Sequence, residues 1–265
     1  MKRLVLFDWD NTIVDEAVRI NDSDFRRKIQ DKINEGWLIG LNSDTPFRRL
    51  YAWWKSLNMN GPIIAEKGGV IWYPQIDPIV LSPTKDLFVN LREKFIQAVL
   101  KIEGYSLFLG DNTQFINSVS QIASIDSVLI AVDTYRVCSL GLFVRRIADG
   151  KIVQDISITE KVYELLVSMS SSNSQTSEID FNREHSYLCL NALDVNKSRG
   201  VKALFENWDY PDNAYMIGDS MSDYLGLSDV SQLAVGNASS EYKNVSKRVA
   251  KLNFAQGCSE LLDSL

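Results

Sequence analysis

Cysteine is scarce in this 265-residue chain, which has three: Cys138, Cys189 and Cys258. Few, odd in number and widely spaced, they exclude a disulfide framework and a zinc knuckle. Histidine is scarcer, with His185 alone, which argues against a His-ligated metal site. Long apolar runs are also missing. The first run, residues 4–7, stops at Asp8; a signal h-region needs roughly 7–15 apolar residues and a membrane span about 20. Basic charge is in deficit, with 28 Lys plus Arg against 34 Asp plus Glu and a net charge of −6. A general nucleic-acid binder needs the opposite balance. We therefore expect a cytoplasmic protein with neither nucleic acid nor membrane as partner, its oligomeric state left open. An apolar share of 45% and a charged share of 23% are those of an ordinary globular chain. The length suits one large domain or two modest ones, at roughly 100–200 residues each.

Four short apolar runs each end abruptly in polar or acidic residues. Leu4-Val5-Leu6-Phe7 precedes Asp8-Trp9-Asp10-Asn11-Thr12, and Trp37-Leu38-Ile39-Gly40-Leu41 precedes Asn42-Ser43-Asp44-Thr45. Tyr215-Met216-Ile217 precedes Gly218-Asp219-Ser220-Met221-Ser222-Asp223, and Leu233-Ala234-Val235 precedes Gly236-Asn237. Continuous apolar runs without alternation fit strands buried on both faces of a parallel sheet. Between them, Phe25, Ile29 and Ile33 fall at helical spacing, with Ser23 or Asp24 as cap and Gly36 as stop. Val201, Leu204, Phe205 and Trp208 do the same ahead of Pro211. Alternating strand and helix predict a doubly wound, Rossmann-like α/β sheet, with ligands at the carboxyl ends of its strands.

The middle of the chain reads differently. Residues 86–99 and 158–167 look helical; 128–132, 140–147, 152–153 and 187–190 look like strands, with a turn at Asp149-Gly150-Lys151. The Ser-rich stretch 168–177 reads as a solvated connection. The expectation is an inserted α+β unit over residues 76–189, with 1–75 and 190–265 forming the sheet domain.

Asp8 and Asp10 stand two apart at the tip of a buried strand. Carboxylates this close repel, and keeping both ionised needs a compensating cation. Asp219 and Asp223 lie on a second loop, and Lys197 precedes the Val201 helix. Oxygen ligands without His or Cys favour a hard cation, and a few carboxylates with room for water and phosphate suit Mg²⁺. Ser43-Asp44-Thr45-Pro46 reads as a helix start, whose free backbone N–H groups suit phosphate. Each feature alone has a plainer reading: a loop turn, a helix cap, a solvated lysine. Their conjunction, each at the end of a strand or the start of a helix, is what singles them out.

That conjunction resembles the haloacid dehalogenase superfamily of phosphatases. Its Asp-x-Asp-x-Thr motif matches Asp8-Trp9-Asp10-Asn11-Thr12. Its Ser/Thr matches Ser43, its Lys matches Lys197, and its Gly-Asp-x-x-x-Asp matches Gly218-Asp219 and Asp223. Ala234-Val235-Gly236-Asn237-Ala238 and Pro62-Ile63-Ile64-Ala65-Glu66 look like the branch with an α/β cap between the second and third motifs, which includes sugar phosphatases, phosphoglycolate phosphatases and phosphomannomutases. The resemblance implies a Mg²⁺-dependent phosphomonoester hydrolase acting on a small phosphorylated metabolite, a phosphosugar or phosphorylated organic acid. Asp8 would be the nucleophile and Asp10 the general acid and base. Mg²⁺ would be held by Asp8, Asp219 and the backbone carbonyl of Asp10. Ser43 and Lys197 would contact the phosphoryl group, Asp223 would orient Lys197 or a metal-bound water, and Thr12 would shape the loop. A phosphomutase or phosphotransferase is the alternative. A catalytically silent binding protein is a second, which the intact Asp8, Asp10, Lys197 and Asp219 set argues against.

The chain departs from those relatives in three places. Ser43-Asp44-Thr45 stands where Thr-Gly-Arg is common, and we expect the Asp44 side chain to point away from the phosphate as a cap. Glu66-Lys67-Gly68-Gly69 replaces Glu-Asn-Gly, making Lys67 either a cationic substrate contact or an exposed lysine. Ser222 stands where Asn is common. In the insertion, Arg136, Arg145, Arg146, Arg183 and His185 are candidate substrate contacts; the plain reading of each arginine is a surface ion pair, and of His185 a structural hydrogen bond.

Overall fold

A computed structural model describes residues 2–82, 85–110, 127–149, 151–170, 177–183, 185–193, 195–208 and 211–265. The first stretch of chain forms β1 (Arg3–Phe7), α1 (Phe25–Asn34), β2 (Trp37–Asn42), α2 (Phe47–Ser56), β3 (Ile63–Ala65), β4 (Val70–Trp72) and β5 (Ile79–Val80). The middle forms α3 (Lys85–Val99), β6 (Tyr105–Leu109), β7 (Ser127–Val132), β8 (Ser139–Ala148), β9 (Lys151–Val153), α4 (Ile156–Ser170), β10 (Ser177–Asn182) and β11 (Tyr187–Ala192). The last stretch forms α5 (Lys197–Asn207), β12 (Asn213–Gly218), β13 (Val230–Ala234), α6 (Ser240–Val245), β14 (Arg248–Val249) and α7 (Phe254–Asp263). These elements divide into two compact units, residues 1–81 with 195–265 and residues 82–194.

The first unit is built on an eight-stranded sheet in the order β14-β13-β12-β1-β2-β3-β4-β5. From β14 to β3 every pairing is parallel, while β4 and β5 add an antiparallel edge. Leu4, Val5, Leu6 and Phe7 are all 0% exposed. Helices cover both faces of β1, so its residues do not alternate. Leu4, Leu6, Ile64, Met216, Val201 and Leu204 share one core cluster, which seats α5 against the sheet. From β1 the chain winds one way through β2 and β3, then returns through β12 on the other side. The β1/β12 junction is therefore the point where the winding reverses, and its crevice opens at the strands' carboxyl ends.

Local chemistry explains the helix ends, with adjustments to the expected caps. Asp24 occupies the N-cap of α1 but makes no side-chain cap hydrogen bond, and its carboxylate instead accepts from Arg27 Nη2 at 3.0 Å. Helix α5 starts at Lys197, ahead of its apolar stripe, because Asn196 Oδ1 accepts from the Arg199 N–H at 2.8 Å.

The second unit has a six-stranded sheet in the order β10-β11-β8-β7-β6, with β9 pairing to β8 as the second arm of a hairpin. Helices α3 and α4 pack on each other and on β8. Phe88, Leu91, Phe95, Val162 and Leu166 bury their apolar faces. Two strands were not expected from the sequence, β6 and the edge strand β10, although Glu178-Ile179-Asp180-Phe181-Asn182 alternates polar and apolar with matching burial. Of the Ser-rich stretch, Ser168 and Ser170 belong to α4 and Ser177 opens β10; residues 171–176 lie outside the described residues, as does Gly150 of the hairpin turn. Strand pairing also shifts the division expected at 75/76 and 189/190. β5 hydrogen-bonds to β4 in the first sheet, and all of β11 pairs within the second. Among the described residues no helix is long and apolar enough to cross a membrane.

Candidate active site

Asp8 is the first residue past β1 and Asp219 the first past β12. The strands are in register, Phe7 facing Ile217, and the Asp8 N–H still donates to the Ile217 carbonyl at 2.9 Å. Two carboxylates are thereby delivered side by side at the reversal point. Thr12 Oγ1 lies between them, 3.3 Å from Asp8 Oδ2 and 3.1 Å from Asp219 Oδ1. One hydroxyl carries one proton, so it cannot satisfy both oxygens at once.

The third carboxylate is fully committed. Asp223 is 0% exposed. Its Oδ1 accepts from Lys197 Nζ at 2.6 Å, and its Oδ2 accepts from the backbone N–H groups of Asp219 and Ser220 at 2.9 and 3.0 Å. Gly218 makes room for it, because a Cβ there would lie 2.4 Å from the Asp223 carboxylate. Lys197 is the first residue of α5 and donates to Asp8 Oδ1 at 2.7 Å. Burial opposes the charge on Lys197, but Asp223, Asp8 and Asp44 outweigh it and hold its pKa well above the ordinary lysine value. Burial pushes the Asp8 carboxyl up; Lys197 opposes this, and the charges of Asp223 and Asp219 add to it.

The loop after β2 brings the second sequence motif to the same place. Ser43 is buried, its N–H donating to the Ile64 carbonyl at 2.9 Å. Pro46, rather than Asp44, occupies the N-cap of α2. Asp44 was expected to point away from the phosphate; its carboxylate instead comes within 3.8 Å of Lys197 Nζ, with half the side chain exposed. Thr45, which sequence reasoning treated only as part of a helix start, donates from Oγ1 to Asp10 Oδ2 at 2.9 Å. A hydroxyl two residues past Ser43 was the signal for that contact. Asp10 itself is exposed, beside the fully buried Trp9, whose ring packs 4.8 Å from that of Trp53.

Lys67 belongs to a turn with three successive left-handed residues, Glu66 (φ 49°), Lys67 (φ 61°) and Gly68 (φ 95°). Its N–H donates to the Ser43 carbonyl at 3.2 Å and its side chain is half-buried. The second unit holds the remaining candidates. Arg145 Nη1 donates to the carbonyls of Val144 and His185 at 2.7 and 2.8 Å, so its head is used to tie backbone. Arg136 Nη1 donates to Ser139 Oγ at 3.1 Å, and Arg146 lies 3.8 Å from Asp155. Arg183 lies 4.0 Å from Glu160 and 4.4 Å over the Phe181 ring. His185 is exposed, and its backbone N–H donates to Asn182 Oδ1 at 3.1 Å.

A cation fits the carboxylate cluster. One oxygen each from Asp8, Asp219 and Asp223 lie within 4.8 Å of one another. With Asp223 spent on Lys197 and backbone, Asp8 and Asp219 are the pair left to share an ion. Burial, reinforced by the charge of Asp223, raises the Asp219 carboxyl to about 6. That strain is what a metal ion would relieve, and an all-oxygen donor set suits a hard one.

The fold defines the class: an α/β protein whose parallel-sheet core is interrupted by an inserted unit, with an acidic cluster at the reversal point. Within that class the chain belongs to the haloacid dehalogenase-like hydrolases, whose family model matches residues 5–262. Solved structures agree on the fold. A haloacid dehalogenase-like hydrolase from Bacteroides thetaiotaomicron is 15% identical with a TM-score of 0.72, covering 100% of this chain and 99% of that one. A Thermotoga maritima protein is 19% identical with a TM-score of 0.68, covering 100% and 98%. A third structure, described as showing a conserved trigonal-bipyramidal intermediate in a phosphoryl-transfer superfamily, is 15% identical with a TM-score of 0.63, covering 100% and 98%. A search of curated proteins finds no match.

Proposed function

We propose that this protein is a cytoplasmic, Mg²⁺-dependent phosphomonoester hydrolase that acts through an aspartyl-phosphate on a small phosphorylated metabolite, a phosphosugar or phosphorylated organic acid. The observation that carries this reading is the clustering of Asp8, Lys197 and Asp219, from three distant stretches of chain, with Asp10 and Ser43 on the adjoining loops. The three free, buried cysteines suit a reducing compartment.

In this reading a carboxylate oxygen of Asp8 attacks phosphorus while the bond to the leaving oxygen breaks. Asp10, protonated, gives its proton to that oxygen, and the alcohol departs. Water then attacks the phosphorus of the aspartyl-phosphate and gives a proton to the Asp10 carboxylate. The phosphorus–Asp8 bond breaks, releasing inorganic phosphate. Lys197 offsets repulsion between the Asp8 carboxylate and the incoming phosphate, and Ser43 supplies a hydroxyl to the phosphoryl oxygens. Asp223 holds Lys197 in place. Asp8 and Asp219, with the Asp10 carbonyl, would hold Mg²⁺, which when bound neutralises phosphoryl oxygens. Residues 82–194 supply substrate selectivity, with Arg183, His185 and, from the first unit, Lys67 as contact candidates.

The test is phosphate release from a panel of about a hundred phosphorylated metabolites, with Mg²⁺ and with a chelator. We expect turnover on a subset, lost on chelation. Asp8→Asn should abolish turnover while leaving the circular dichroism and unfolding midpoint near wild type. Turnover by Asp8→Asn, or none by wild type on any substrate, overturns the reading. Transfer to an added sugar faster than to water would mark a phosphotransferase instead.

A further inference from the structure

Asp10 is exposed, and an exposed aspartate samples several rotamers, yet a proton-transfer group must be held within a fraction of an ångström of its working position. Among the described residues one hydrogen bond restrains its carboxyl: Thr45 Oγ1 donates to Oδ2 at 2.9 Å. Thr45 is itself held on several sides. It is 3% exposed, β-branched and so stiff at χ1, and fixed along its backbone. Its N–H donates to Ser43 Oγ at 3.3 Å, its carbonyl accepts from the Glu66 N–H at 3.2 Å, and Pro46 follows. The backbone around Asp10 is anchored from the other side. Asn11 adopts φ 59°, and its carbonyl accepts from Asn237 Nδ2 at 2.7 Å.

We infer that Thr45 is the positioning residue for Asp10, its hydroxyl pinning Oδ2 so that Oδ1 is the oxygen that delivers and later collects the proton. This rests on the acid–base role proposed for Asp10. A threonine hydroxyl suits the task because it can donate to Oδ2 whether Oδ1 carries a proton or not. Both half-reactions then use one carboxyl geometry. Loss of the hydroxyl should slow each step that needs Asp10 and spare the step that does not.

The experiment uses the full chain with Mg²⁺, comparing wild type, Thr45→Val, Thr45→Ser and Asp10→Asn. The substrates are an alkyl phosphate, which needs protonation on leaving, and 4-nitrophenyl phosphate, which does not. For Thr45→Val we expect kcat on the alkyl phosphate to fall about 10–100-fold, with KM changed less than about threefold. On 4-nitrophenyl phosphate the same variant should give a fast burst of nitrophenolate equal to the enzyme concentration, then a slow steady rate, because water attack still needs Asp10. Thr45→Ser should restore most of the alkyl rate. A partly misfolded variant would instead shrink the burst and slow both substrates alike. An unchanged alkyl-to-aryl ratio, absence of a burst, or a serine variant no better than valine overturns the inference. If Asp10→Asn shows no leaving-group dependence, or wild type hydrolyses neither substrate, the acid–base reading fails and takes this inference with it.

Discussion

Asp219 shows at the residue scale how a carboxylate can be costly to the fold and useful to the site. Its carboxyl sits at about 6 in the folded chain against an ordinary 3.8, raised by burial and then by Asp223. A folded-state value above the unfolded one means that the folded state binds the proton more tightly. Ionising Asp219 therefore works against folding, fully above pH ~6, progressively less down to ~4, and not below that. At about 1.4 kcal/mol per pKa unit the effect is at most about 3 kcal/mol. Without metal, this group alone makes the protein more stable on going from pH 7 to pH 5. We expect Asp219→Asn to raise the metal-free unfolding midpoint at pH 7, by roughly 2–4 °C per kcal/mol relieved in a chain of this size. It should also flatten the midpoint's pH dependence and abolish the upward shift that the proposed Mg²⁺ site is expected to give in wild type. Thermal unfolding at pH 5–8, with chelator and with Mg²⁺, checks both. A metal-free variant less stable than wild type at pH 7 would make the carboxylate a structural partner of Thr12 instead.

The turn at residues 66–68 shows at the element scale how loops hold the site's geometry. Three left-handed residues in a row are costly, about 1 kcal/mol or more for each that is not glycine. What holds them is backbone: the N–H groups of Glu66 and Lys67 donate to the carbonyls of Thr45 and Ser43, both at 3.2 Å. On the other side, a Cβ on Gly68 would lie 2.1 Å from the Asn196 carbonyl oxygen, immediately before Lys197. The turn thus spans the gap between the Ser43 loop and the start of α5. We expect Gly68→Ala to cost about 2–4 kcal/mol in urea unfolding and to cut phosphate release at least tenfold, because α5 must move and carry Lys197 with it. Gly36→Ala is the control: φ is 86° there too, but nothing lies within 4 Å, so about 1 kcal/mol and unaltered turnover are expected. Equal effects at the two sites would mean that strain alone, and not the contact with Asn196, matters. This turn was not legible in the sequence, since Glu-Lys carries no mark of left-handed backbone. By contrast β1, β2, β12 and β13 were legible because burial on both faces leaves unbroken apolar runs. Asp8, Ser43, Lys197 and Asp219 were legible because they stand where those runs stop or the next helix starts. Asp44 was misread for a related reason. Its position next to a helix start suggested a cap pointing away, but the N-cap position fell to Pro46, and the carboxylate lies 3.8 Å from Lys197, a residue from far along the chain that no local pattern could supply.

At the scale of the whole molecule, each sheet closes within its own unit: no strand of residues 82–194 pairs with a strand of the first unit among the described residues. An apolar cluster of the first unit joins Leu4, Ile64, Val201 and Met216, and its described members all come from residues 1–81 and 195–265. The carboxylates of Asp8, Asp219 and Asp223 and the Lys197 ammonium are contained in that same unit. Folding, metal binding and phosphoryl chemistry should therefore be separable from substrate choice. Replacing residues 82–194 with a flexible Gly/Ser linker should leave a chain that unfolds cooperatively and is stabilised by Mg²⁺. It should also hydrolyse 4-nitrophenyl phosphate, because that substrate asks for little beyond the phosphoryl site. Discrimination among phosphorylated metabolites should collapse, read as the ratio of kcat/KM for the preferred substrate to that for 4-nitrophenyl phosphate. A fall of about tenfold or more in that ratio, roughly 1.4 kcal/mol of lost selective binding, would place the specificity contacts in the removed unit. An undiminished ratio would place them in the first unit, leaving Lys67 as the candidate and removing Arg183 and His185. Loss of cooperative unfolding in the shortened chain would show that the first sheet depends on the second unit after all, since the strand pairing alone predicts that it should not.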